Sequence, residues 1–180
     1  HFEYWGYETS KIIERDWNEK VELDSGFTIY VEPARHFSGR GFSKNNTLWA
    51  SYVLQTPSMK IYIGGDSGYD THYATIGNKY GPIDLAILDN GQYDEAWKYI
   101  HMMPEESVQT AIDLRAIVAM PIHWAGFTLA LHPWYEPVER FTAESLRLGL
   151  QATTPRIGQS ITIGGELPND RWWENYDIST

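Results

Sequence analysis

The chain has 180 residues, 42% apolar and 21% charged, a globular composition that rules out a disordered polymer. Fourteen Lys and Arg against 24 Asp and Glu leave a net charge of −10, which argues against a nucleic-acid backbone as partner and against electrostatic docking on an anionic bilayer. With no cysteine there is no disulfide framework, no thiolate zinc site and no Cys nucleophile, and no apolar run approaches the roughly 20 residues of a membrane span.

The opening HFEYWGYETS has neither the basic nor the apolar region of a targeting segment. Residues 26–32 are rich in β-formers and stop at Pro33, which predicts a strand. Residues 47–54 and 59–63 lie on either side of Pro57 and predict a hairpin. Residues 71–80 predict a short helix closed by Gly81 and Pro82. The nearly continuous apolar run 83–88 predicts a strand covered on both faces. Residues 104–115 carry Pro and acids in their first turn and then a stripe of Val108, Ala111, Ile112 and Leu114, which predicts a helix. A buried strand at 117–122, an amphipathic helix at 138–150 ended near Gly149, and a last strand at Ser160–Ile163 follow. Residues 166–180 read as an irregular polar tail with exposed aromatics, so residues 1–165 form the domain. Strands first and then β-α-β-α-β predict an α/β sheet with helices on at least one face.

Candidate chemistry sits just past three of these strands. His36 follows the strand 26–32, Asp66 the strand 59–63, and His123 the strand 117–122. Ligands of open α/β sheets bind beyond the carboxyl ends of the strands, so the three could converge there. Imidazoles and a carboxylate are what a zinc-like ion takes when thiolates are absent. The glycines around Asp66 suit a tight turn that lets backbone approach an ion closely. Taken singly, each His also reads as a capping or packing residue, and Gly64-Gly-Asp-Ser-Gly68 as an ordinary turn. Residue spacing alone leaves both readings open.

Five stretches occur in a telling order: Pro33-Ala-Arg-His-Phe-Ser-Gly-Arg-Gly41, Thr47-Leu-Trp-Ala-Ser51, Gly64-Gly-Asp-Ser-Gly-Tyr69, Gly81-Pro-Ile-Asp-Leu-Ala86 and Ile122-His-Trp-Ala-Gly-Phe127. Together they resemble the second half of metallo-β-lactamase-fold hydrolases, in particular the N-acyl-phosphatidylethanolamine phospholipase D-like branch and its bacterial relatives. The resemblance implies the C-terminal half of a four-layer αββα sandwich, with a mixed sheet and helices packed on one face. It implies two zinc ions in the intact enzyme, with His36 on the first, Asp66 bridging both and His123 on the second. It also implies catalytic roles for Asp66 and for His101, the latter as a substrate-side or proton-handling residue. Asp84, Asp89 and Asp94 are candidate outer acceptors or surface acids, His72 and His132 surface or packing histidines, and Arg40 a loop cation rather than an anion contact.

The H-x-H-x-D-H stretch that such enzymes carry in their first half does not occur here. The expectation is a fragment of a hydrolase of phosphodiesters, esters or lactones, inactive alone, with its zinc incomplete or absent. A small-molecule or lipid-like substrate and self-association through the uncovered sandwich face are expected with it. The alternative is a non-catalytic half-domain acting as an interaction module. Localisation is not legible.

Overall fold

Strand-forming runs separated by turn residues build a single seven-stranded sheet whose strand order follows the chain. The computed structural model describes residues 2–39, 42, 44–127 and 129–176. Strands β1 (Lys20–Glu22), β2 (Thr28–Pro33), β3 (Ala50–Gln55) and β4 (Lys60–Ile63) pair antiparallel, with β3 and β4 forming the expected hairpin. Strands β5 (Ile83–Asp89), β6 (Ala116–Ile122) and β7 (Gln151–Ala152) then add in parallel. Each parallel step is bridged by a helix: α1 (His72–Tyr80), α2 (Pro104–Asp113) and α3 (Glu136–Leu148).

Local chemistry sets the helix ends. Pro104 opens α2, whose first turn holds Glu105 and Glu106, and the Glu106 carboxylate accepts the Met103 N–H at 2.9 Å. α3 stops at Gly149, in the left-handed conformation at φ 70°.

The register aligns Val53, Tyr62, Ala86 and Ala119 across four strands, and all four are fully buried. Tyr73 and Ile76 of α1, Val108 and Ala111 of α2, and Phe141 of α3 complete this core, so the helices cover one face. The neighbouring register row, Tyr52, Ile63, Ile87 and Met120, points the opposite way by the two-residue period of strands. Tyr52 and Ile63 there remain 41% and 37% exposed.

Two expectations need correction. Ser160–Ile163 is not a strand: residues 156–165 form turns closed by Gln159 N–H to Arg156 O and Gly165 N–H to Thr162 O. The sheet edge beside β6 is instead taken by Gln151–Ala152. Beyond residue 165 the aromatics are not all exposed. Trp173, in a short 3-10 turn at Trp172–Asn175, is among the largest fully buried side chains, and its indole N–H donates to Glu139.

Candidate metal centre

Because β2 and β4 are each antiparallel to β3, and β5 and β6 are parallel to β4, the carboxyl ends of β2, β4, β5 and β6 share one rim. The chain leaves that rim at His36, Asp66, Asp89 and His123, and the segment entering α2 brings His101 to it. Two overlapping donor sets result: His36, Asp66 and His101, and Asp89, His101 and His123, with donor atoms within 4.8 Å of one another in each set. The His101 ring lies 5.4 Å from that of His36 and 5.2 Å from that of His123, centroid to centroid. Asp66 Oδ1 lies 3.8 Å from His123 Nδ1. His36, Asp66 and His123 are thus gathered at one edge, as their positions past three strands imply.

The deepest part of the cluster is the Asp89–His101 pair. His101 Nδ1 lies 2.8 Å from Asp89 Oδ2, which also accepts the Ser67 N–H at 3.2 Å. Asp89 is fully buried and His101 is only 6% exposed. Burial pushes the Asp89 carboxyl up, against the pull of His101. Burial pulls the His101 imidazole down, but the hydrogen bond and charge of Asp89, with the charge of Asp66, outweigh it and leave the imidazole raised. A carboxylate oxygen can only accept, so Nδ1 carries the hydrogen and Nε2 of His101 is left for the site. His36 Nδ1 lies 2.8 Å from the Phe37 carbonyl oxygen and is fixed the same way, freeing its Nε2.

Close backbone packing holds these loops. A Cβ on Gly91 would fall 1.9 Å from the His123 carbonyl oxygen, so only glycine lets the turn after β5 pass beneath the turn after β6. His123 itself sits at φ 66°, a left-handed conformation uncommon outside glycine. A Cβ on Gly68 would fall 2.3 Å from the Tyr99 carbonyl, which brings the Asp66 loop against the His101 segment. Arg35 ties the His36 loop to the same place. Its guanidinium pairs with Asp70 at 3.1 Å, donates to Tyr69 O at 3.0 Å and stacks on Tyr99 at 4.4 Å.

The remaining candidates divide. Asp89 contacts a site histidine as an outer acceptor does, and it is also a member of a donor set. Asp84 accepts the Lys60 N–H at 2.7 Å and Asp94 the Ala96 N–H at 2.8 Å, so both are spent on backbone. His132 stacks on Tyr93 and accepts the Gln92 N–H at 3.1 Å. His72 packs at a tilt against Tyr73, and burial lowers its pKa, as befits a packing residue. Arg40 lies outside the described residues. His101, read as a substrate-side residue, belongs to both donor sets. A signal for Asp89 is its place as the polar last residue of β5, after the apolar run Leu85–Leu88, at the same rim as the other donors.

Three imidazoles and two carboxylates without a thiolate form a donor set that suits a divalent ion of the zinc, manganese or iron kind. The residues present therefore fit such an ion.

The sequence pattern of the β-lactamase superfamily domain matches residues 2–124. An uncharacterized protein of Mycobacterium tuberculosis is 41% identical over 176 residues, covering 96% of this chain and 47% of that protein. The N-acyl-phosphatidylethanolamine-hydrolyzing phospholipase D 1 of Caenorhabditis elegans is 31% identical over 140 residues, covering 73% of this chain and 39% of that protein. The chain thus spans about half the length, or less, of these curated relatives. Among solved structures, the metallo hydrolase Igni18 of Ignicoccus hospitalis superposes with a TM-score of 0.66 at 19% identity, covering 83% of this chain and 59% of that one.

Proposed function

As the chain belongs to the β-lactamase superfamily, we propose that it is a metal-dependent hydrolase or the metal-binding part of one, with its site built on His36, Asp66, Asp89, His101 and His123. The observation that carries this reading is the convergence of three imidazoles and two carboxylates, from five separate loops and strand ends, on one sheet rim. His36, Asp66 and His123 would help to hold the metal. An ion held there supplies Lewis acidity, polarising a scissile bond and acidifying water near neutral pH.

The chain's own groups supply the rest. Asp66, half-exposed at the mouth, orients the attacking water and accepts its proton. His101, held through Nδ1 by Asp89, presents Nε2 to the ion, and the departing oxygen takes its proton from water. Attack forms the new bond from water oxygen to carbon or phosphorus, and the leaving group departs as an alcohol. The substrate would be a phosphodiester, ester or lactone. A lipid-like substrate is supported by the activity for which the Caenorhabditis elegans relative is named. Zinc is the ion favoured by the histidine-rich donor set.

The 180 residues contain no H-x-H-x-D-H stretch, so a full shell for two ions needs ligands beyond these five. On that reading the chain alone binds metal weakly and turns over slowly or not at all. The apolar row ending in exposed Tyr52 and Ile63 would favour self-association. Two assays on the purified chain test the reading: zinc titration by calorimetry, and hydrolysis of p-nitrophenyl esters and phosphodiesters with and without chelator. Saturable metal uptake that is lost in Asp66→Ala supports it. Uptake indifferent to Asp66, His36 and His123 overturns it.

A further inference from the structure

Beside His123 the rim opens into two joined cavities. The first, about 400 Å³, is lined by residues that include His123, Trp124, Arg156, Gln159 and Trp172. The second, about 710 Å³, has Phe127, Trp134, Ile157, Trp172 and Tyr176 in its walls. Ala125, Ile157 and Trp172 line both, so the space is continuous. Each part is the size of an ordinary small-ligand site.

The walls are apolar by construction. Trp124 and Trp172 stack with ring centroids 5.2 Å apart. Their indole N–H groups are spent on the Pro121 and Thr154 carbonyls, both at 3.0 Å. The rings therefore offer a ligand dispersion and area rather than donors. Phe127 and Ile157 stand 89% and 99% exposed at the mouth, surface that an apolar ligand would take out of water.

The charge is selective. The whole chain carries −10, yet among the described lining residues there is no Asp or Glu, and Arg156 is the one Arg or Lys. Arg35, Arg140, Arg147 and Arg171 are each paired with a carboxylate, whereas Arg156 makes no ion pair among the described residues. Aromatic walls alone would welcome a cation. Arg156 reverses that preference.

We infer that the joined cavity is a subsite for a small apolar body bearing one oxyanion group, carboxylate or phosphate. The oxyanion meets Arg156, and the apolar body lies against Trp172 and Ile157. The inference rests on the hydrolase reading only in directing the ligand's scissile end toward His123. Arg156 is then a specificity residue.

Calorimetric titration of the chain in excess chelator tests this without any metal. The probes are phenylbutyrate, phenylbutyl phosphate and the neutral phenylbutanamide. At least one anion should bind about fivefold or more tighter than the amide, the scale of one accessible ion pair. Arg156→Gln should bring that anion to the level of the amide. Ile157→Asp, at a position too exposed to disturb folding, should weaken the anion by a similar factor. Equal binding of anions and amide, or anion binding unmoved by Arg156→Gln, overturns the inference. So does a chain that sediments with phosphatidylglycerol vesicles while phenylbutyrate gives no heat, which would assign the apolar surface to a membrane. Chelator makes the two readings separable: anion binding without metal uptake elsewhere would leave the subsite standing and remove the hydrolase.

Discussion

His101 Nδ1 lies 2.8 Å from Asp89 Oδ2, and both side chains are buried at the carboxyl end of the parallel strands. The carboxylate fixes the imidazole's tautomer and its orientation, while the Ser67 N–H fixes the carboxylate. A ring that has only one free nitrogen, aimed at the neighbouring donors, is prepared to ligate or to transfer a proton.

Asp89→Asn keeps the shape and removes the charge. Metal affinity should fall about 10- to 100-fold, the range for loss of an outer partner of a ligating histidine. Asp89→Ala should in addition cost about 3–5 kcal/mol of stability, because it strands a buried imidazole. Calorimetric metal titration and urea unfolding measure the two effects separately. A metal affinity unmoved by Asp89→Asn would remove Asp89 from the site.

Gly91→Ala would place a methyl 1.9 Å from the His123 carbonyl, so the turn after β6 must move. The expected cost is about 1–3 kcal/mol, the usual penalty of overpacking. Metal affinity should fall with it, because His123 is the residue displaced. Thermal melting of the metal-free variant, compared with its metal titration, reads both.

The glycines show what was legible. Pro33, Gly64-Gly65 and Gly81-Pro82 mark strand and helix ends locally, which is why β2 to β6 and all three helices could be anticipated and the three rim residues placed. The Asp89–His101 pair was not legible as a pair, since its partners meet only when β5 and the α2 approach pack together through Gly68 and Ser67. Ser160-Ile-Thr-Ile163 has the alternation of a strand, but Gly158 and Gly164 take positive φ and the neighbouring sheet edge is already occupied. Periodicity reports a local preference, and the edge left free for pairing is a property of the whole sheet.

Trp173→Ala tests how firmly the last described residues are docked. The side chain is 1% exposed against α3 and its N–H is spent on Glu139. Truncation should cost about 3–5 kcal/mol, as for other buried aromatics. Ala substitution at the 55%-exposed Tyr176 should cost far less. Equal effects in urea unfolding would contradict the packing.

The Glu105–Arg140 pair joins α2 to α3 through two hydrogen bonds of 2.8 and 2.6 Å. The Arg140 hydrogen bond holds the Glu105 carboxyl below its usual range, against partial burial. A lowered carboxyl pKa contributes stability that is present above the unfolded value of 4.5 and is lost as pH falls through the folded one. Both side chains are partly exposed, so the contribution is about 1 kcal/mol or less. Glu105→Gln should therefore lower stability by that amount at pH 7 and leave it nearly unchanged once the pH is below the folded pKa.

Cobalt(II) titration of the chain, followed by the visible absorption of the bound ion, tests the centre most directly. The intact sequence should give a saturable spectrum of nitrogen and oxygen coordination, and changing His36, Asp66 and His123 together to Ala should abolish it. An identical spectrum and affinity in that triple variant would place the ion elsewhere and contradict a metal site on this rim.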